Sequence, residues 1–249
     1  MELHLAGRTV LVLGGSRGLG RAVAEAASAE GARVTVTSRV PQSIDTSRSI
    51  RLRGLDTAVP ESIAAFLAGW GTEPVHGLFV NTGGPRPGDF DQLAQADWLA
   101  ACQQLLLGPI ALVRGLVPLI PTGGSILFNT SSSIRVPISH LTLSNVLRPA
   151  VEALGKTLAE ELAPRGIRVN VIAPGRIATE RVAQLDGARA DREGSTRDAV
   201  QAAAIQNIPL GRYGDPAEFG RAAVFLLSPA AGYISGISLL VDGAQSKAL

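Results

Sequence analysis

Short aliphatic runs that end in glycine or polar residues alternate along the chain with longer segments of helical spacing. The runs predict seven β-strands, within RTVLVLGG, RVTVTSR, SIRLRGLD, VHGLFVNTGG, GGSILFNTSSS, IRVNVIAPG and ISLLVDG. Because these runs are nearly all apolar, we expect strands that are covered on both faces. Strands alternating with helices predict an α/β fold with a doubly wound parallel sheet. No linker or repeat interrupts the pattern, so residues 1–249 are predicted to form a single domain.

Helical spacing is clearest in two long segments. DWLAACQQLLLGPIALVRGLVPLI predicts a long apolar helix, and the segment from HLTLSNVLRPAVEALGK to about LAEELAPRG predicts the next. Pro149 lies inside the second helix, where it removes one helical hydrogen bond and leaves the carbonyl of Asn145 free. The polar stretch at residues 180–208 has few apolar positions, and we predict that it is a mobile substrate lid.

Composition and charge narrow the classes of function. The chain is 46% hydrophobic and 18% charged, a globular composition that is apolar enough to suggest buried subunit contacts. A net charge of only +2 gives no argument for nucleic-acid binding. The N-terminus carries no targeting signal and no apolar run approaches membrane-spanning length, so we expect a soluble cytoplasmic protein without membrane contact.

The cysteine and histidine content argues against disulfides and metal. Cys102 is the single cysteine and lies in an apolar helical run, which favours a buried, inert thiol. His4, His76 and His140 are scattered without the spacing of metal ligands.

The segment GGSRGLG, residues 14–20, lies between the first strand and the first helix. Gly14, Gly18 and Gly20 allow the backbone to approach a pyrophosphate closely, and the helix that follows directs free N–H groups at the phosphates. In this position the pattern predicts a dinucleotide-binding loop, although a tight turn without a ligand is the alternative.

The end of the second strand favours NADP over NAD. It reads Thr37-Ser38-Arg39, without the carboxylate that holds the adenosine ribose in NAD-binding sheets. Arg17 and Arg39 are therefore predicted to bind a 2′-phosphate. The alternative is that both arginines are solvated surface residues.

Taken together, these motifs resemble the classical short-chain dehydrogenase/reductase family, most closely its 3-oxoacyl-carrier-protein-reductase-like branch. The likeness covers nearly the whole chain, through the glycine loop, the segments NTGG and APGRIAT, and the run from IPLGRYGDPAEF to VDGA. It implies a seven-stranded Rossmann-type sheet and a homotetramer. It also implies a loop or single turn around Pro41 to Ser47, where the usual helix has little room.

The resemblance and the loop argument together assign the cofactor site. The predicted contacts are Gly14, Ser16, Arg17, Gly18, Leu19, Gly20, Arg39, Asp56, Asn81, Gly83, Arg148, Pro174, Gly175, Ile177 and Thr179. Within this set, Asp56 is predicted to cap the adenine.

The resemblance also implies an altered catalytic group. The family's Tyr-x-x-x-Lys pair falls at Ser144 and Arg148, and its helix asparagine falls at Leu105. The chain's two tyrosines, Tyr213 and Tyr233, belong to the C-terminal motif. Of the four residues usually called catalytic, the serine alone is kept.

That serine falls at Ser131 or Ser132, of which the strand ending favours Ser132. Ser144 is far less acidic than a phenol and cannot replace the tyrosine. Arg148 can hold ribose hydroxyls but stays protonated, so it cannot relay a proton. His140 is the nearest group that titrates near neutral pH, although a surface or capping role is the favoured interpretation.

Three hypotheses follow. The first is an NADP-dependent oxidoreductase that acts on a small carbonyl or alcohol by an altered proton route. The second is a catalytically silent NADP-binding sensor or partner subunit. The third is a fold that no longer binds nucleotide, against which the intact glycine loop argues. The first is favoured.

Overall fold

Seven parallel strands form one sheet in a computed structural model, which describes residues 1–40 and 50–248. In chain order they are β1 (Thr9–Val12), β2 (Arg33–Ser38), β3 (Ile50–Gly54), β4 (Gly77–Val80), β5 (Ser125–Asn129), β6 (Arg168–Pro174) and β7 (Ser238–Val241). Their order across the sheet is β3-β2-β1-β4-β5-β6-β7. The predicted doubly wound fold is thus confirmed. The predicted turn around Pro41 to Ser47 lies outside the described residues.

Helices cover both faces of this sheet. They are α1 (Gly18–Ala29), α2 (Pro60–Trp70), α3 (Gln95–Cys102), α4 (Gly108–Leu116), α5 (Thr142–Leu162), α6 (Glu180–Glu193), α7 (Arg197–Gln206) and α8 (Pro216–Leu227). Apolar residues of α1 and α8 share one core cluster, whereas those of α2, α4 and α5 share another.

Strand β1 shows why its sequence is apolar at every position. Leu11 joins the cluster under α2, α4 and α5, whereas Val10 and Val12 join the cluster under α1 and α8. Successive side chains point to opposite faces of a strand, so both faces of β1 are buried. From β1 the chain adds β2 and β3 on one side of the sheet and then β4 to β7 on the other, so the strand order reverses between β1 and β4. In open parallel sheets, ligands bind beyond the carboxyl ends of the strands at such a point.

The predicted long apolar helix is present as α3 and α4, joined by a π-helical turn at Gln103–Leu107. The continuous helix Gln95–Leu119 has 25 residues, and an 18-residue window of it has a mean hydropathy of 1.4, enough in length and composition to cross a membrane. The expectation that no apolar run reaches this length was therefore wrong. Leu112 and Leu116 of this helix are fully buried in the core of the domain, and 39% of the apolar window is buried there. Cytoplasmic location stays a prediction.

Residues 180–208 contain two helices, α6 and α7, that the sequence analysis did not predict. Thr179 and Thr196 cap their first turns, each accepting a backbone hydrogen bond. The segment is anchored by a few small apolar residues, among them Ala190 and Val200, and by the buried carboxylate of Asp186. Whether the segment moves as a lid stays a prediction.

Candidate active site

The glycine loop after β1 is held in place by neighbouring strands. Thr37 accepts hydrogen bonds from the N–H of Gly14 at its hydroxyl (3.1 Å) and from the N–H of Gly15 at its carbonyl (3.0 Å). The amide of Asn81 donates to the carbonyl of Gly14 (3.0 Å). A Cβ on Gly20 would lie 2.2 Å from that same carbonyl oxygen, so only glycine fits there.

The N-cap residue of α1, Arg17, makes no side-chain capping hydrogen bond. The N-terminus of α1 can therefore direct backbone N–H groups at an anion. The side chain of Arg17 is exposed and donates to the carboxylate of Glu180, the first residue of α6, at 2.9 Å. Arg39 is exposed just beyond β2. Arg17 therefore lies in the loop itself and is engaged by α6, whereas Arg39 lies two residues beyond Thr37, whose hydroxyl and carbonyl contact the loop.

Asp56 lies after β3, where its carboxylate accepts the N–H of Ala58 (2.9 Å). Its own N–H donates to the hydroxyl of Ser62 (2.9 Å). This pairing stabilises the turn that leads into α2 and fixes the loop beside the predicted adenine site.

A chain of hydrogen bonds joins the glycine loop to α5. The amide of Asn129 donates to the carbonyl oxygen of the Asn81 side chain (2.8 Å), and Arg148 donates through Nη1 to the backbone carbonyl of Asn129 (3.0 Å). The ends of β1, β4 and β5 and the second turn of α5 are therefore connected. These contacts bring two predicted cofactor residues, Asn81 and Arg148, into one network.

Arg148 is buried, with 6% of its surface exposed, and its Nε has no partner among the described residues. Burial, and to a smaller extent the charge of Arg181, lower the pKa of its guanidinium to about 10. Arg148 is nevertheless charged at neutral pH. A buried cation with an unused donor is costly unless a ligand completes its contacts.

The candidate serines lie between β5 and α5. Ser131 caps a 3₁₀ turn at Ser132–Ile134, and its hydroxyl accepts the N–H of Ser133 (3.2 Å). Ser131 and Ser132 are half-buried, whereas the hydroxyl of Ser133 is buried without a partner in the described chain. The turn packs against α5, on which Ser144 is buried in the first turn. Both Ser131 and Ser132 stay candidates for the substrate hydrogen bond.

Leu105 lies in the π-helical turn and is fully buried. It belongs to a small apolar cluster, here called the Leu105 cluster, with Leu93, Ala101, Leu143 and Leu147. Cys102 packs against it and is half-buried, rather than buried as expected. At the position where the resemblance implies a polar asparagine, this structure therefore has a dry contact between the long helix and α5.

His140 lies in the loop before α5 in a left-handed conformation, with φ of 61°. Its Nδ1 is 2.7 Å from a carboxylate oxygen of Asp89, and both side chains are partly exposed. Its carbonyl accepts the N–H of Gly88 (2.8 Å). Asn145 exchanges side-chain hydrogen bonds with the backbone of Ile138, which closes the same loop. Pro149 does not interrupt α5.

The segment after β6 lies beside the glycine loop. Gly175 approaches β7 closely, since a Cβ there would lie 2.6 Å from the Cβ of Asp242. Ile177 forms a β-bridge with Gly214. Thr179 lies against the glycine loop, its methyl group 3.7 Å from where a Cβ on Gly18 would be. These contacts bring the predicted APGRIAT segment to the same cleft as the loop.

Several residues at the cleft were missed by the sequence analysis. Arg181, on the first turn of α6, donates to the carbonyl of Pro85 in the loop after β4 (3.0 Å). Arg176 is half-buried and forms an ion pair with the buried carboxylate of Asp186, which also accepts a hydrogen bond from the hydroxyl of Tyr213 (2.9 Å). The signal that could have found Arg181 was an arginine just after APGRIAT. Nothing in local sequence pairs Arg176 with Asp186 or Tyr213.

Comparison with known proteins agrees with this architecture. The family described as "Enoyl-(Acyl carrier protein) reductase" matches residues 14–244. Carbonyl reductase family member 4 of Danio rerio is 32% identical, over 95% of this chain and 97% of that protein. 3-oxoacyl-[acyl-carrier-protein] reductase FabG of Vibrio cholerae is 30% identical, over 97% and 98%.

Solved structures give the same result. L-sorbose reductase of Gluconobacter frateurii, complexed with NADPH and L-sorbose, superposes with a TM-score of 0.91 at 27% identity over the whole of both chains. An actinorhodin polyketide ketoreductase with NADPH gives 0.89 at 25% identity, over 97% of this chain and 98% of that one. The chain belongs to the classical short-chain dehydrogenase/reductase family, a family of oxidoreductases. The predicted family is thus confirmed.

Proposed function

We propose that this chain is an NADP-dependent oxidoreductase that transfers a hydride between nicotinamide and a carbonyl or alcohol substrate by an atypical proton route. The observation that carries the proposal is the glycine cradle, in which Gly20 lies directly against the carbonyl of Gly14 and Asn81 holds that carbonyl in place. A pyrophosphate requires such a loop, because its oxygens must approach backbone N–H groups without a Cβ in the way.

The residues present fit a nicotinamide dinucleotide. The glycine loop and the N–H groups of α1 would hold the phosphates. Arg17 and Arg39 would hold the 2′-phosphate, and Arg148, whose Nε has no partner among the described residues, would hold the ribose hydroxyls. When bound, the reduced cofactor supplies the hydride. The structures of L-sorbose reductase and the actinorhodin ketoreductase, both with NADPH, support this assignment.

The chain's own side chains orient the substrate rather than supply an obvious acid. The hydroxyl of Ser131 or Ser132 would donate to the substrate oxygen, beside Ser144 on α5. Arg148 holds its proton at neutral pH, so it can position the ribose hydroxyls but cannot relay a proton. Neither tyrosine of the chain lies on α5, since one is Tyr213, paired with Asp186, and the other is the exposed Tyr233. The proton route is therefore the unusual part of the proposal.

A second candidate is a silent NADP-binding sensor or partner subunit. The Leu105 cluster favours it, because an apolar contact occupies the place where the resemblance implies a polar relay. Binding without turnover would distinguish this candidate from the first.

NADPH is expected to bind more tightly than NADH. Charge-assisted contacts from Arg17 and Arg39 are each worth on the order of 1.5–3 kcal/mol, so either gives roughly tenfold preference or more. Arg39→Ala should lower NADPH affinity by about that factor and leave NADH affinity unchanged. Arg114→Ala, at an exposed position on α4, is the matched control. Fluorescence titration measures both affinities, and equal or tighter NADH binding would overturn the assignment.

The protein is expected to be a homotetramer. Large apolar side chains remain exposed on the two long helices, namely Leu99, Leu107 and Val146, each at least half exposed. Large apolar side chains that are exposed in a monomer are often buried in subunit interfaces. Light scattering on a size-exclusion column measures the mass, and a stable monomer at micromolar concentration would contradict the prediction.

A further inference from the structure

Arg17, the cation of the glycine loop, is bound by the first turn of α6. Its Nη1 donates to the carboxylate of Glu180 at 2.9 Å, although the two residues are 163 positions apart in the chain. Arg17 is the N-cap residue of α1, whereas Glu180 is the first residue of α6. This ion pair therefore connects the glycine loop directly to the segment at residues 180–208.

The first turns of α6 are docked by contacts other than this ion pair. Thr179 caps the helix, and its methyl group lies 3.7 Å from where a Cβ on Gly18 would be. On the second turn, the buried carboxylate of Asp186 is engaged in an ion pair and accepts a hydrogen bond from a tyrosine hydroxyl (2.9 Å). Glu180 is therefore held beside the glycine loop by the docked helix. The side chain of Arg17 is more than half exposed, so it is free to turn toward a different anion.

The 2′-phosphate of NADP(H) and the carboxylate of Glu180 would compete for Arg17. A phosphate monoester carries about two negative charges at neutral pH, and it repels a carboxylate that lies at the same guanidinium. The adenosine ribose of NAD(H) has a neutral 2′-hydroxyl in that place. NAD(H) therefore has no group that would draw Arg17 away from Glu180.

We propose that Glu180 is a specificity-determining residue, which competes with the 2′-phosphate for Arg17 and thereby reduces the preference for NADP(H) over NAD(H). This inference rests on the proposed function and concerns the control of the same cofactor site. Binding of NADP(H) breaks the ion pair and releases Glu180 from the glycine loop, whereas binding of NAD(H) leaves the pair intact. The first turn of α6 is thus coupled to the kind of dinucleotide that is bound.

Fluorescence titration with NADPH and NADH tests the competition in wild type, Glu180→Gln and Glu193→Gln. Glu193 forms an exposed ion pair with Arg189 at the end of the same helix and serves as the matched control. Because exposed ion pairs are weak, we expect Glu180→Gln to raise NADPH affinity by roughly twofold to fivefold and to leave NADH affinity unchanged. Glu193→Gln should change neither affinity. Unchanged NADPH affinity in Glu180→Gln would overturn the proposal, and so would lower affinity, since Glu180 would then orient Arg17 for the phosphate.

Hydrogen exchange measures the release of α6 independently of affinity. In wild type, the amides of the first turn of α6 should exchange faster with saturating NADPH than with saturating NADH, because the ion pair persists with NADH alone. This difference should be absent in Glu180→Gln, which has no ion pair with either cofactor. Equal exchange with the two cofactors in wild type would contradict the release of Glu180.

A double-mutant cycle separates competition for Arg17 from general repulsion between the two anions. The effect of Glu180→Gln on NADPH affinity is measured again in an Arg17→Ala background. If Glu180 competes for Arg17, its substitution no longer raises NADPH affinity in that background. An equal increase in both backgrounds would assign the effect to repulsion and overturn the proposal. Absence of dinucleotide binding in every variant would refute the proposed function and this inference with it, whereas binding of both dinucleotides without any effect of Glu180→Gln would overturn the inference alone.

Discussion

Gly20→Ala is expected to abolish NADPH binding. The added Cβ would lie 2.2 Å from the carbonyl oxygen of Gly14 and 2.9 Å from its carbonyl carbon, and both atoms are backbone that Asn81 holds in place. The clash can be relieved only if the glycine loop opens. This opening disrupts the glycine cradle and destabilises the fold by about 1–3 kcal/mol. Fluorescence titration with NADPH and thermal unfolding of the same samples measure the two effects.

Gly187→Ala is the matched control for this substitution. Gly187 lies inside α6 with open space where its Cβ would point, so alanine should leave NADPH affinity unchanged and stabilise the protein by roughly 0.5–1 kcal/mol. If Gly20→Ala does not fold, Asn81→Ala tests the same cradle by removing the hydrogen bond to Gly14 without adding an atom. Wild-type affinity in a folded Gly20→Ala protein would show that the cradle does not hold the cofactor.

Simple ketones are expected to be reduced slowly even though NADPH binds. A positioned general acid contributes roughly 10²–10⁴-fold to rate, and α5 has Ser144 where the resemblance implies a tyrosine. The triple variant Leu105→Asn, Ser144→Tyr, Arg148→Lys restores the residues that the resemblance implies. It should therefore raise the rate of NADPH oxidation by a factor that approaches this range. The measurement is kcat/KM for wild type and this variant over one panel of ketones. A faster wild type than variant would contradict the expectation.

His140→Ala provides the control on the proton source. The ring of His140 is bound by Asp89 at the protein surface, so its removal should leave the slow rate unchanged. A brisk wild-type rate that collapses in His140→Ala would identify His140 as the acid. A brisk rate that His140→Ala does not alter would point to Ser144, Asn145 or an ordered water.

The sequence predicted the sheet well because burial on both faces leaves a strong apolar signal. β1, for example, has no polar face at all, and its end coincides with the glycine loop. Helices α6 and α7 were not predicted, because few apolar residues mark their buried side. α6 is also held by an ion pair between Arg176 and Asp186, and that pairing becomes apparent only when the end of β6 and α6 are placed together.

The candidate site was predictable where residues close together in the sequence determine the local structure, as in the glycine loop with Gly14 and Gly20. It was not predictable where partners come from distant segments. Asp89 and His140 are 51 positions apart, and Arg181 reaches Pro85 across 96 positions. The unmet donor of Arg148 likewise depends on which groups surround it, and sequence alone gives only its position on the helix.

The Leu105 cluster also makes the present active site difficult to reverse by stepwise mutation. Leu105→Asn alone would bury an amide among Leu143 and Leu147, with no polar partner in that cluster, at a cost of about 1–3 kcal/mol. Ser144→Tyr alone must place a phenol where the serine is already buried. Because these sites share one cluster or lie in consecutive turns of α5, the single changes are costly and their effects are not additive. We therefore expect that the implied tyrosine, lysine and asparagine can be restored only by simultaneous changes, and that single substitutions leave Arg148 as the polar group around which any chemistry of this site must be built.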